Sequence, residues 1–158
     1  MRLEFEMNAP RGIRNHNPGN IDRHPGVHWH GQAADQSSDS RFVVFLAPEW
    51  GIRALARVLI TYMTARKARD GSRIDTIREV IDRWAPPSEN NTGAYAQHIA
   101  DLTGIGLDDP IKPDYPTLRR LVPAIITHEN GIQPYSDHQI DEGLKLAGIH
   151  QGEPEVML

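Results

Sequence analysis

The sequence predicts a mainly α domain of the α+β kind, with a small β-hairpin or sheet near its N-terminus. Three features predict it. Apolar residues recur at three- and four-residue spacing in successive segments from Pro48 onward. Glycine and proline punctuate residues 1–41 densely enough to keep them in loops. One short β-branched and aromatic run, RFVVFL at 41–46, separates the two regions.

In chain order, Gly12, Pro18, Gly19, Pro25, Gly26 and Gly31 break up the first region, and QSSDS at 36–40 closes it. Residues 41–46 are the strand candidate, with 27–31 as a pairing partner. Ala47-Pro48-Glu49 then reads as a helix start, with proline in the first turn and an acid at the positive end of the dipole. Ile52, Leu55, Leu59, Tyr62 and Met63 carry that helix to about residue 68. Residues 75–84 repeat the pattern with Ile77, Val80, Ile81 and Trp84, and Pro86-Pro87 stops it. A third helix is expected over 91–103, capped by Asn91 or Thr92 and ended by Gly104. Residues 113–116 read as a linker into a helix over 117–130. There Leu118, Leu121, Val122, Ile125 and Ile126 form a wide apolar stripe, and Pro123 predicts a bend or a late start. Ser136 and Gln139 form a capping box for the last helix, which closes at Gly148.

The chain has 158 residues, enough for one domain over 1–150, followed by a tail at 151–158 expected to be flexible. Hydrophobic residues make up 39% and the net charge is −4, which argues against disorder and against nucleic-acid binding through bulk positive charge. The absence of cysteine excludes disulfides, a thiol nucleophile and sulfur-ligated zinc. No stretch approaches the roughly 20 apolar residues that cross a bilayer, and the first twelve residues lack a signal-peptide core. A protein made in the cytoplasm, without membrane insertion and monomeric, is expected. No phosphate loop, Gly-x-Ser-x-Gly elbow or His-Glu-x-x-His motif is present.

The segment richest in chemistry is LVPAIITHENGIQPY at 121–135. A strongly apolar helix ends on one acid, Glu129, where the negative end of the dipole and partial burial both oppose ionisation. A carboxylic acid that keeps its proton near neutral pH is what a glycosidase uses to protonate a leaving oxygen. The alternative is a solvated helix-end residue. Asp137 is a candidate second carboxylate, though it also complements the dipole of the last helix; Asp141 is a weaker one. Glu49 is a rival acid, but the first turn of a helix favours its ionised form, so it is counted with the substrate-binding candidates.

Asn15, Asn17 and Asn20 flank Pro18-Gly19, where their amides either close a tight turn or bond N-acetyl groups and sugar hydroxyls. Trp29, Trp50, Trp84 and Tyr95 offer faces on which sugars stack; Trp84 fits a core position, while Trp29 and Tyr95 are groove candidates. His28 and His30, with His16, His24 and Asp22 nearby, are either solvated or a metal site; no metal and no cofactor is expected.

The run from Ala124 through Glu129-Asn130-Gly131 to Pro134-Tyr135 resembles the segment bearing the catalytic acid in lysozyme-like lytic transglycosylases and glucosaminidases. RGIRNHNPGNI at 11–21 resembles a group of small phage virion or lysis proteins. Together with Trp29-His30-Gly31, the run from Phe42 through Phe45 to Glu49-Trp50-Gly51, and Tyr95 in NTGAYA, it also resembles, more distantly, the flagellar-type glucosaminidases. In those families the acid precedes the Asn-rich turn, whereas Glu129 follows it; a circularly permuted lysozyme-like domain accounts for the order. The resemblance implies an enzyme cleaving the β-1,4 glycan of bacterial peptidoglycan, with Glu129 as the acid and Tyr95 and the asparagines holding sugars. It further implies an endolysin released to the cell wall, or an enzyme carried in the virion. A phage structural protein that binds glycan without cutting it, and a metal-dependent hydrolase at His28 and His30, remain alternatives.

Overall fold

A computed structural model describes residues 8–152; residues 1–7 and most of the 151–158 tail lie outside the described residues. Six helices are present among the described residues: α1 (Arg11–Arg14), α2 (Pro48–Ala65), α3 (Ile77–Trp84), α4 (Thr92–Thr103), α5 (Tyr115–Asn130) and α6 (Asp137–Leu146). The protein is mainly helical.

Each long helix forms where its apolar stripe can be buried. On α2, Ile52, Leu55, Leu59 and Met63 turn inward, against Ile77 and Ile81 of α3, Leu121 and Ile125 of α5, and Ile140 and Leu144 of α6. Full burial of each such aliphatic side chain contributes about 1.5–3 kcal/mol. Helix α6 packs on α2 at Gly143, where a Cβ would stand 2.4 Å from Ile52, so only glycine admits this crossing.

The caps follow the sequence closely. Thr76 and Glu79 hold the start of α3 reciprocally: Glu79 N–H donates to Thr76, and Asp75 N–H donates to Glu79. Asn91, not Thr92, caps α4, while the Thr92 hydroxyl donates to the Ala85 carbonyl. Ser136 and Gln139 form the capping box of α6. Helix α5 starts two residues earlier than the sequence suggests, because Asp114 supplies the cap and Pro116 is tolerated in a first turn that needs no N–H from it. It stays helical through Pro123, with flanking Val122 and Ala124 both buried in the core. Helix α2 ends at Ala65, three residues short of expectation, where Arg66 turns extended.

The expected hairpin does not form. Residues 41–46 touch the 27–31 segment through one backbone bond only, Leu46 N–H to Gly31 O, and otherwise bond to loops on either side: Val43 N–H to Ile21 O, Arg23 N–H to Arg41 O and Ala33 N–H to Val44 O. Only isolated bridges result, Asp22 with Phe42 and Gln32 with Phe45. Side-chain amides replace the missing strand. Gln36 both donates to and accepts from the Val44 backbone, and Asn17 donates to Val43 O. This satisfies the buried backbone without a ladder. Val43 and Phe45 then form a second, smaller core with Ala54, Ile21, Trp29 and Trp50.

Candidate functional site

Glu129 sits in the last turn of α5, which Gly131 closes in the left-handed conformation at φ 76°. The next residue, Asn130, is buried, and its amide donates to Pro18 O at 2.8 Å as well as to Ile126 O. That bond fastens the loop after α1 onto the end of α5. His16 and Asn20 both adopt positive φ, 51° and 50°, which bends the loop back over the helix end. Asn20 thereby donates from Nδ2 to Glu129 Oε1 at 3.1 Å.

From the other side, α4 brings the Tyr95 hydroxyl to Glu129 Oε2 at 2.8 Å. Tyr95 in turn accepts from Trp84 Nε1 at 3.0 Å, so indole, phenol and carboxylate form one chain across α3, α4 and α5. Burial pushes the Tyr95 phenol far above its ordinary range, with the charge and hydrogen bond of Glu129 acting in the same direction and Trp84 opposing. Tyr95 therefore remains a donor to Glu129. His128 stacks on Tyr95 at 3.5 Å between ring centroids, and its Nδ1 lies 2.8 Å from that of His98.

Gly12 makes this approach possible. A Cβ there would stand 2.6 Å from Asn130 Oδ1, 2.8 Å from Asn17 O and 2.8 Å from Asn20 Oδ1. Both amide oxygens are buried and lack a hydrogen-bond partner, which leaves them facing the bare Cα of Gly12.

Glu129 opens onto a groove of about 420 Å³. Trp29, Tyr62, Phe42 and Trp84 supply aromatic surface, and Asp22 and Glu89 are its other carboxylates. Asp22 is engaged by Arg41 at 2.7 Å. Such a cleft, apolar faces with a few fixed polar groups, has the form of a binding site for a small or chain-like ligand.

Of the residues singled out by sequence, Glu129, Asn20 and Tyr95 come together, and Trp29 lines the same groove. Tyr95 stands behind Glu129, buried, with its hydroxyl as the working group. Asn17 is fully buried and bonds Ile21 and Val43; Asn15 is buried and donates to Asp39. Both amides are committed to holding the loop. Asp137 is exposed and ion-paired with Arg119 at 2.6 Å, and Asp141 accepts from Arg119 and Tyr115, so both tie α5 to α6. Glu49 accepts from Gln139 at the start of α6. Neither Glu49 nor Asp137 is among the residues lining the groove.

Trp84, which helical spacing assigns to the core, lines the groove and anchors Tyr95. Its position at the end of α3, just before Pro86-Pro87, was the available signal. Asp22, Tyr62 and Glu89 carried none as groove residues, since distant segments bring them there. Among the described residues, no three histidine, aspartate or glutamate side chains converge to hold a metal ion, and no helix is long and apolar enough to cross a membrane.

Fold and site thus define a mainly helical protein with an aromatic-walled groove and one carboxylate fixed at its floor. No family model matches the chain. It is 36% identical over 139 residues to Protein P5 of Pseudoalteromonas phage PM2, spanning 87% of this chain and 81% of that protein. The chain belongs to the family of this phage protein.

Proposed function

We propose that the protein cleaves the β-1,4 glycan of bacterial peptidoglycan within a lysozyme-like domain, with Glu129 as the acid. The single observation that carries this reading is Glu129 held from both sides, by Asn20 and Tyr95, where it opens onto an aromatic-walled groove. Two fixed bonds keep the carboxyl in one orientation, and positioning of this kind governs how well a group transfers a proton. The proton passes from Glu129 to the glycosidic oxygen as the bond to the anomeric carbon breaks, and the aromatic faces hold the sugar rings. Asp137 is engaged with Arg119 and Asp22 with Arg41, which leaves Glu89 as the other groove carboxylate outside an ion pair among the described residues. Glu129 suffices alone in a single-acid route, in which its deprotonated form then takes the proton of an attacking hydroxyl of the substrate itself. Family membership alongside a phage protein agrees with action on the wall after release from the host cytoplasm, or from within the virion.

The test is E129Q, which keeps the shape and both donors' acceptor positions in part while removing the transferable proton. The expected result is that wild-type protein clears purified sacculi and E129Q does not, at unchanged circular dichroism. Mass spectrometry of the soluble fragments separates anhydro-muramic ends from reducing ends. Full clearing by E129Q removes Glu129 from the chemistry. A second reading, a phage protein that grips glycan without cutting it, is favoured by the bonds already occupying both Glu129 oxygens. Sacculus binding with no fragments released by the wild type selects it.

A further inference from the structure

A second compartment adjoins the acid-bearing groove. It has about 420 Å³ of its own and shares Trp29, Val58 and Tyr62 with its neighbour, so the two meet at these side chains along one surface channel. Its remaining walls are His28, His30, Arg53, Arg57, Thr61 and Arg66. No carboxylate lines it, although the protein as a whole carries a net charge of −4.

The arginines are held but not neutralised. Arg53 donates from Nε to Leu146 O and Arg57 from Nη1 to Ala147 O, carbonyls at the negative end of the α6 dipole, which holds both side chains while leaving their other N–H groups for a further acceptor. None of the three arginines takes part in an ion pair among the described residues. Burial, and after it the neighbouring charge of Arg57, hold Arg53 below its ordinary value. This surroundings repel a metal cation, which counts against a metal site at His28 and His30, and attract an anion. Planar guanidiniums pair with carboxylates in a two-pronged geometry that a lysine cannot match.

We propose that the basic compartment is a carboxylate subsite that holds the peptide stem of a peptidoglycan strand while its glycan lies in the groove at Glu129; it rests on the glycan reading above. A wall strand carries acidic peptides at regular intervals along an otherwise uncharged sugar chain. The channel has the same division: aromatic faces beside a carboxyl at one end, and unpaired cations at the other. The basic compartment thus selects peptide-bearing glycan over bare glycan.

The test measures affinity in the E129Q background by calorimetry, with three probes. These are the GlcNAc-MurNAc disaccharide bearing a tetrapeptide, the same muropeptide with its peptide carboxylates amidated, and the disaccharide without peptide and with its lactyl carboxyl amidated. The expected result is at least tenfold tighter binding of the first than of the other two, with the difference shrinking as salt rises. R66E, at an exposed position, then weakens the tetrapeptide ligand at least fivefold, while K112E, an equal change in net charge away from the channel, leaves the preference intact. R57Q provides a second variant, and thermal unfolding confirms that each is folded. Equal affinity for the three probes, no binding of the tetrapeptide ligand, or equal effects of R66E and K112E would each overturn the subsite. Failure of the cleavage reading is distinguished separately: wild-type protein then releases no fragments from sacculi, while the affinity comparison still decides the subsite.

Discussion

Replacing Asp39 by asparagine tests what holds the N-terminal loop over the groove. Asp39 is only 6% exposed and accepts five hydrogen bonds. Its Oδ2 takes Arg11 Nε and Asn15 Nδ2; its Oδ1 takes Arg11 Nη2 and the N–H groups of Arg41 and Phe42. An asparagine keeps one oxygen, and the less costly rotamer leaves it facing the three donors at Oδ1. Asn15 Nδ2 then loses its acceptor inside the protein, at about 1–3 kcal/mol, whereas Arg11 is exposed enough to turn to water. Losing the charge on the surviving bonds adds about 1 kcal/mol, since charge-assisted bonds are roughly twice as strong as neutral ones. The total is about 2–4 kcal/mol, a fall in Tm on the order of 10 °C for a domain of this size. Urea titration at pH 7 followed by circular dichroism measures it. The pH dependence is a second check. Arg11 holds the Asp39 carboxyl far below the ordinary carboxylate range, ahead of the opposing effect of burial. A group depressed in this way contributes its full stability above the unfolded value of about 3.9 and loses it as pH falls toward the folded value. The gap between wild type and D39N is therefore level from pH 8 to 5 and narrows only below about pH 4. A loss under about 1 kcal/mol, or a gap that closes between pH 8 and 6, would refute the reasoning.

The other expectations concern the floor of the groove. Y95F leaves Trp84 Nε1 and Glu129 Oε2 each short of a partner, so it lowers stability by about 1–2 kcal/mol in urea titration and frees the Glu129 side chain, reducing sacculus clearing. G12A forces a methyl against Asn130, Asn17 and Asn20; a loss of about 1–3 kcal/mol is expected by thermal denaturation, and a neutral result would mean the loop yields freely. Burial and the charge of His98 hold His128 below the ordinary imidazole value, against the pull of Glu129. The unfolded chain then takes up its proton first as pH falls, so the native state loses stability below about pH 6.5. The Tm of H128Q should fall less than that of wild type between pH 7.5 and 5.5; parallel curves would remove His128 as the cause.

The helices from Pro48 onward were legible because each carries its own signals, whereas the single turn of α1 lies in the region expected to stay in loops. Asn91, Ser136 with Gln139, and Gly104 and Gly131 mark ends by local hydrogen bonds and backbone freedom that neighbours in sequence provide. The hairpin was misread because RFVVFL has the composition of a strand, yet its backbone partners are loops and the amides of Gln36 and Asn17, which no alternation of residues announces. The same limit applies to the asparagines. Asn15, Asn17 and Asn20 look alike in a Gly-Pro-rich turn, and only the fold commits the first two to the interior and aims the third at Glu129.

What the chain alone determined was the mainly helical class, most helix ends and an acid at the close of an apolar helix, all consequences of contacts within a few residues. Which groups meet that acid was decided in three dimensions. Asn20 reaches it across 109 positions and Tyr95 across 34, and the arginines beside the groove gather around Tyr62 by packing rather than by sequence. Side-chain convergence over such separations depends on how helices cross, and the crossings depend on glycines such as Gly12 and Gly143, whose missing Cβ atoms become meaningful only once a neighbour stands against them.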